Sequence, residues 1–113
     1  MSAGAPAAPP EFIYDALRKV GVARGTAADG QGWIIEFQSR HDDDSMTVVL
    51  REPGGRERTL TLTDADFTFG ESSVSLRPLA EVTLQMQPLY VKKLRGFTRG
   101  NIPTPDVPGP SLP

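Results

Sequence analysis

The sequence predicts a mainly β protein of the α+β class, with a short N-terminal helix packed on an antiparallel sheet or partly closed barrel of five to six strands. Three observations predict this fold. Apolar residues recur at helical spacing near the N-terminus, and they alternate with a period of two over most of the remaining chain. The connections between the alternating segments are short and turn-rich, which favours antiparallel pairing because parallel strands need long crossovers.

The predicted helix runs from Glu11 to Val20. Pro10 suits the start of such a helix and Gly21 the position after its end. A helix of this length is marginal in water by itself, so we expect its apolar stripe to cover one face of the sheet, with docking into a partner groove as the alternative. The stripe consists of Phe12, Ile13, Ala16, Leu17 and Val20.

After a predicted loop over residues 21–32, alternating apolar residues indicate the strands. Turns at "HDDDS" and "PGG" separate the first three, and Pro88 ends the last one because proline cannot donate a ladder hydrogen bond. The segment "LYVKKLRGF" that follows predicts either a short helix or an irregular closing segment. The residues expected to face inward are Trp33, Ile35, Phe37, Met46, Val48, Leu50, Leu60, Leu62, Phe67, Phe69, Val74, Leu76, Val82, Leu84 and Met86.

The inward-facing parity changes between Leu62 and Phe67. Since side chains alternate strictly along a strand, a change from even to odd positions requires a turn or bulge, which we place at "TDAD".

Composition divides the chain into three parts: an Ala/Pro-rich N-terminal arm (residues 1–10), one β-rich domain (11–100) and a Pro-rich C-terminal arm (101–113). The part between the arms is long enough for one modest core. The arms are expected to be flexible or to become ordered on a partner.

Composition also excludes or disfavours several classes of function. The chain has no cysteine, which excludes disulfides and thiolate chemistry, and its net charge of −2 disfavours nucleic acid as a partner. We assign no cofactor and infer no small-molecule substrate. We expect no membrane association, because the sequence shows no secretion signal and no apolar run of spanning length. The predicted location is the cytoplasm or an assembled particle.

The strongest candidate for catalytic or metal chemistry is "RHDDDS", which holds His41 and three carboxylates. The spacing fits no calcium loop, since it lacks alternate ligands and the glycine of the sharp bend, so we interpret the segment as a charged turn without a metal. No nucleophile stands in the strand-to-helix elbow of hydrolases, so we expect no enzymatic activity and assign no catalytic residue.

Two segments remain as candidate contact sites. The first is a basic stretch that lies beside Tyr90 and Phe97, a pattern that can hold single-stranded nucleic acid or an acidic protein surface. It carries Lys92, Lys93, Arg95 and Arg99. The second is the C-terminal arm, whose prolines keep the chain extended while spaced apolar residues seat in pockets of a partner. Its proposed contact residues are Ile102, Pro103, Pro105, Val107, Pro108, Pro110 and Leu112.

The functional expectation is therefore a non-catalytic assembly or protein–protein interaction subunit of a larger particle, for example a viral, phage or bacterial machine. It would dock through its C-terminal arm to other proteins or to copies of itself. The alternative is a small monomeric bacterial regulator, inhibitor- or immunity-like, that acts through one sheet face. A nucleic-acid accessory protein is the third hypothesis.

Overall fold

The computed structural model describes residues 9–101, and all structural statements below concern that part of the chain. It contains eight strands, one α-helix, and 3-10 helices at Asp64–Asp66 and Arg77–Leu79. The strands are β1 (Glu11–Asp15), β2 (Val20–Thr26), β3 (Gly32–Arg40), β4 (Met46–Arg51), β5 (Glu57–Leu62), β6 (Phe67–Phe69), β7 (Ser73–Leu76) and β8 (Thr83–Gln85), and the helix is α1 (Pro88–Thr98).

The strands form one open antiparallel sheet in the order β5-β4-β3-β2-β8-β7-β6. One edge of β2 pairs with β3. Its other edge is shared, because β1 pairs with Val20–Arg24 and β8 pairs with Thr26. The mainly β, antiparallel part of the prediction is therefore confirmed, although the sheet has eight strands and not five to six.

The sheet curls so that distant strands meet over a common core. The ring of Phe67 on β6 lies 5.9 Å from that of Phe37 on β3, although four pairing steps separate these strands. Helix α1 packs against the same core through Phe97, whose ring lies 5.1–5.6 Å from those of Phe12, Tyr14 and Phe37. The largest fully buried side chains are Phe37, Ile35, Met46, Leu50, Leu76, Leu79, Leu84, Leu94, Val48, Val74 and Thr98.

The predicted N-terminal helix is wrong. Residues 11–20 instead form β1, a tight turn and the start of β2, and the predicted loop over residues 21–32 contains most of β2. A helix this short gains little by itself, whereas Phe12, Ile13 and Tyr14 favour a strand and here pair with β2. On the core-facing side of β2 the residues are small and buried: Gly21, Ala23 and Gly25.

The helix of this fold lies at the C-terminal end of the described residues, where the sequence allowed a helix or an irregular segment. Pro88 occupies the first turn of α1, where its missing N–H removes no helical hydrogen bond. The same residue was correctly expected to lie beyond the last strand. Val91, Leu94 and Phe97 form the buried face at helical spacing.

The other predicted strands agree with the structure. Strands β3 to β8 all fall in the predicted alternating segments, and the predicted inward residues are buried or packed against the core. The parity change falls at the 3-10 helix Asp64–Asp66. The carboxylate of Asp66 accepts a 2.9 Å hydrogen bond from the N–H of Thr63, the residue that precedes this helix.

Candidate functional site: a pocket between the first hairpin and the C-terminal helix

A pocket of about 350 Å³ lies where the β1–β2 hairpin, the end of β3 and the end of α1 meet. We call it the hairpin–helix pocket. Its apolar lining comes from three aromatic rings and one methionine, and its polar lining includes two cationic side chains. The lining residues are Tyr14, Lys19, Phe37, Gln38, Ser39, Arg40, Met46 and Phe97.

The β1–β2 turn places Lys19 at the pocket. Asp15 Oδ1 accepts hydrogen bonds from the N–H groups of Leu17 and Arg18, at 3.0 and 3.2 Å, which fixes the first half of the turn. Lys19 completes the turn with a left-handed φ of 57°. This turn also holds Leu17 at the surface with 96% of its side chain exposed.

A β-bulge places Arg40 at the pocket. The register between β3 and β4 shifts between Phe37 and Ser39, so that Gln38 is the extra residue. Before the bulge, the odd-numbered Phe37 faces the core; after it, the even-numbered Arg40 pairs with the buried Met46. The bulge thus re-aims the end of the strand, and Gln38, Ser39 and Arg40 all line the pocket.

Arg40 is anchored to the end of the helix. Its Nη2 donates a 2.7 Å hydrogen bond to the Phe97 carbonyl oxygen at the end of α1, which also accepts a 3.0 Å hydrogen bond from the Gly100 N–H. On its other side, Arg40 borders a second cleft of about 210 Å³, lined also by Asp44, Asp64, Thr98, Arg99 and Gly100. The guanidinium therefore lies between two adjoining depressions, of which the second also carries the carboxylates of Asp44 and Asp64.

The charge of the hairpin–helix pocket is one-sided. It is lined by two cations and no carboxylate. Within residues 9–101, neither Lys19 nor Arg40 belongs to an ion pair, and the five ion pairs found there involve other arginines. The pocket is therefore suited to an apolar group that carries, or adjoins, a negative charge.

The lining of the hairpin–helix pocket contains neither a histidine nor a carboxylate. Residues 9–101 contain no group of three or more His, Cys, Asp or Glu side chains placed to hold a metal ion. The lining offers a ligand apolar, cationic and uncharged polar contacts.

The predicted basic stretch lies on and just after α1. Lys92, Arg95 and Arg99 are exposed, and Lys93 is partly buried. The aromatic residues beside them do not form a stacking platform, because Phe97 is 7% exposed and Tyr90 packs against the core. Arg99 borders the second cleft, which Asp44 and Asp64 also line, so the stretch adds one cation to a cleft of mixed charge.

The predicted contact residues of the C-terminal arm, Ile102 to Leu112, lie outside the described residues. Their starting point is nevertheless fixed. Asn101 N donates a 2.9 Å hydrogen bond to the Gly96 carbonyl oxygen, so the chain leaves α1 at the end where Phe97, Arg99 and Gly100 border the site.

The "HDDDS" segment forms the β3–β4 turn that the sequence predicted. The His41 N–H donates to the Ser45 carbonyl oxygen over 2.8 Å, and Asp44 has a left-handed φ of 68°. The Ser45 hydroxyl and N–H both donate to Asp43 Oδ1, at 2.6 and 3.0 Å. Chiefly through the hydroxyl bond, they hold the pKa of Asp43 below its ordinary value of 3.8.

The sequence interpretation missed the pocket itself. Lys19 and Tyr14 were assigned to a helix, and Arg40 was considered only as part of a charged turn. The inward positions are odd in "WIIEF" and even from Met46 onward, but a regular hairpin gives the same parity, so the sequence carried no signal for the bulge. The closeness of Phe97 to this turn carried no sequence signal, because it depends on how α1 packs.

Comparison with known protein families, with characterised proteins and with solved structures finds no match to this chain. Among residues 9–101, α1 is too short to traverse a bilayer, and no helix with the length and apolarity of a membrane span occurs there. Function is therefore inferred from the geometry of the site.

Proposed function

We propose that this protein is a non-catalytic protein–protein interaction subunit of a larger assembly. It binds its partner through the hairpin–helix pocket and the adjoining C-terminal arm. The observation that carries the proposal is a pocket whose accessible side chains include the half-buried Tyr14 and the exposed Lys19 and Arg40, two cations that have no carboxylate partner within residues 9–101.

The accessible side chains of the site support a protein ligand. Tyrosine and arginine are among the residue types that dominate binding energy at protein interfaces, and Tyr14 and Arg40 are the accessible members of these types in the pocket lining. Leu17, almost fully exposed on a hydrogen-bonded turn next to Lys19, adds an apolar contact beside the pocket.

Site-specific photocrosslinking tests the proposal. A photoreactive amino acid replaces the exposed Gln38 at the pocket, and in a control variant it replaces the exposed Thr59 on the opposite face of the sheet. In cells that make the protein, position 38 should crosslink to one discrete protein that position 59 does not capture. The proposal is wrong if position 38 gives no specific adduct, or if both positions give the same products.

A small monomeric regulator that acts through the sheet face is the second candidate. The face of the sheet opposite the core carries a row of five residues, one from each of five neighbouring strands in register. The row consists of Ile13, Val22, Glu36, Val49 and Thr59. Ile13 is 52% exposed there. The ion pairs Glu11–Arg24 and Arg51–Glu57 on this face satisfy its charges internally, which leaves less for a charged partner to recognise.

Charge reversal and surface substitution distinguish the two candidates. Lys19→Glu should abolish partner binding if the pocket is used and leave it unchanged if the sheet face is used. Ile13→Lys should have the opposite pattern. Binding of each variant to the purified partner that crosslinking identified is measured by calorimetry. A circular dichroism spectrum like that of the wild type shows that each variant is folded.

A further inference from the structure

We infer that β5 of one copy of this chain pairs with β5 of a second copy, edge to edge and antiparallel, with Thr59 at the two-fold axis. The inference goes beyond the proposed function, because it concerns self-association through a different surface from the hairpin–helix pocket. The residues that would meet, Glu57, Thr59 and Thr61, are all exposed, so the pairing requires no rearrangement of the core.

The outer edge of β5 carries main-chain groups without a partner strand. β5 is the last strand in the sheet order and pairs on one side, with β4. The Glu52 N–H donates a 2.8 Å hydrogen bond to the Arg56 carbonyl oxygen, which continues the β4–β5 ladder. Since bonded and non-bonded pairs alternate along an antiparallel ladder, the N–H and C=O groups of Glu57, Thr59 and Thr61 point away from β4. In the part of the chain that the structure describes, no further backbone–backbone hydrogen bond reaches these six groups.

This edge lacks the features that usually block pairing with another chain, which are very short strands, bulges, prolines and charged side chains. At the other end of the sheet, β6 has only three residues. β5 has six residues, contains no proline and pairs with β4 in an unbroken register. Its two charged side chains are already in ion pairs within the chain. Glu57 pairs with Arg51, and Arg58 pairs with Glu52, so the edge presents no unpaired charge that would repel a second copy.

The edge is complementary to itself, which favours a second copy as the partner. The outward-pointing residues lie symmetrically about Thr59, so a two-fold axis there places Glu57 of each copy opposite Thr61 of the other. All six outward groups of each copy are then paired, in six hydrogen bonds. A register shifted by two residues in either direction pairs only two of the three residues. The symmetric register therefore satisfies the most groups and gives a closed dimer.

The side chains are compatible with this register. Thr59 lies opposite its own counterpart, a cross-strand pair of a type that stabilises sheets, and the Thr61 hydroxyl can donate to the carboxylate of Glu57 on the second copy. On the other face, Arg58 lies opposite the half-buried Leu60 of the second copy, where its aliphatic stem covers the apolar surface that remains exposed. No like charges lie opposite each other.

Removing the hydrogen-bond donor at the two-fold axis tests the inference. Self-association of the full chain is measured by sedimentation velocity over a wide concentration range. The Thr59 N–H makes no bond to β4, so Thr59→Pro should fold but associate at least about tenfold more weakly than the wild type. Thr59→Ser keeps this N–H and should associate as the wild type does. A circular dichroism spectrum like that of the wild type shows that each variant is folded.

Charge exchange at the axis tests the register without altering the backbone. Thr59→Lys and Thr59→Glu each place like charges opposite each other, so each alone should associate at least about tenfold more weakly than the wild type. An equimolar mixture of the two should restore association, because the introduced charges are then opposite in sign. Thr68→Lys adds the same charge at an exposed position of β6 and should associate as the wild type does.

The inference is wrong if the wild type stays monomeric at every concentration, if Thr59→Pro and Thr59→Ser associate equally, or if the mixture fails to restore association. It is also wrong if Lys19→Glu abolishes self-association, because the contact would then involve the pocket. The proposed function fails separately, through the crosslinking at position 38. A photoreactive group at position 59 should capture only a second copy of this chain.

Discussion

Arg40 and Phe97 are 57 residues apart in the sequence, yet a 2.7 Å hydrogen bond joins the Arg40 guanidinium to the Phe97 carbonyl oxygen. The bond connects the end of β3 to the last turn of α1 and forms one wall of the hairpin–helix pocket. The same carbonyl oxygen also accepts a 3.0 Å hydrogen bond from the Gly100 N–H. Arg40 therefore contributes both to the packing of α1 and to the proposed binding site.

Replacing Arg40 with methionine should destabilise the end of α1. Arg40→Met keeps a long aliphatic chain but removes the donor to Phe97, which should lower the free energy of unfolding by about 1 kcal/mol. Urea unfolding measures this change. Amide exchange should also accelerate at Arg99 to Asn101, which follow the anchored carbonyl. Arg95→Met, at an exposed position of α1, is the matched control and should change neither quantity; equal effects of the two substitutions would contradict the anchoring role.

Two glycine-to-alanine substitutions should act in opposite directions. A Cβ added at Gly25 would lie 2.7 Å from the Leu84 Cβ, because β2 and β8 approach closely there. Gly25→Ala should therefore cost about 1–3 kcal/mol through overpacking. Gly96 lies in α1, and an added Cβ would meet Asn101 at an ordinary 3.7 Å. Gly96→Ala should accordingly stabilise the protein by about 0.5–1 kcal/mol. Thermal unfolding of both variants measures the signs. A Gly25→Ala variant that is not destabilised would contradict the close β2–β8 approach, and a destabilised Gly96→Ala variant would contradict the open space at Gly96.

Helix α1 should contribute to stability through its inward face alone. Leu94 is fully buried, so Leu94→Ala should lower the free energy of unfolding by about 2–5 kcal/mol, from lost burial and the resulting cavity. Leu89 lies on the same helix but is 55% exposed, so Leu89→Ala should change the free energy of unfolding by less than about 0.5 kcal/mol. Denaturant unfolding compares the two. A large loss from Leu89→Ala would mean that the helix packs on a different face.

The β3–β4 turn should lose stability in acid. The Ser45 hydrogen bonds lower the pKa of Asp43, so their stabilising contribution is fully present above the ordinary value of 3.8 and disappears as the pH falls through the lower folded value. Asp43→Asn should therefore have a lower free energy of unfolding than the wild type at neutral pH. The two free energies should become equal at a pH below the lowered pKa of Asp43. Ser45→Ala should raise the pKa of Asp43, observed as a shift in the NMR titration of its carboxyl.

A neighbouring carboxylate provides the control for this turn. Asp42→Asn leaves both Ser45–Asp43 hydrogen bonds in place, so its stability should follow the wild-type pH dependence through the same window. If Asp43→Asn also keeps the wild-type dependence, these hydrogen bonds do not stabilise the turn.

The sequence by itself determined the parts of the fold that depend on neighbouring residues. Alternation in "WIIEF" and "MTVVL" specified β3 and β4 and their buried faces, and proline and glycine marked the turn after β4. The parity change after Leu62 located the 3-10 helix at Asp64–Asp66. These signals are reliable because a strand with one buried face must place apolar residues at every second position.

Only the tertiary structure decided the N-terminal hairpin and the pocket. The spacing of Phe12, Ile13 and Leu17 is compatible with a helix and also with a strand followed by a turn. The strand forms because residues 11–15 pair with β2 and because Phe12 contacts Phe97. Arg40 reaches the pocket through a bulge, and Phe97 reaches it through the packing of α1. The contacts of Phe97 join residues that are distant in the sequence, and the free energy of such contacts is not encoded in any local pattern.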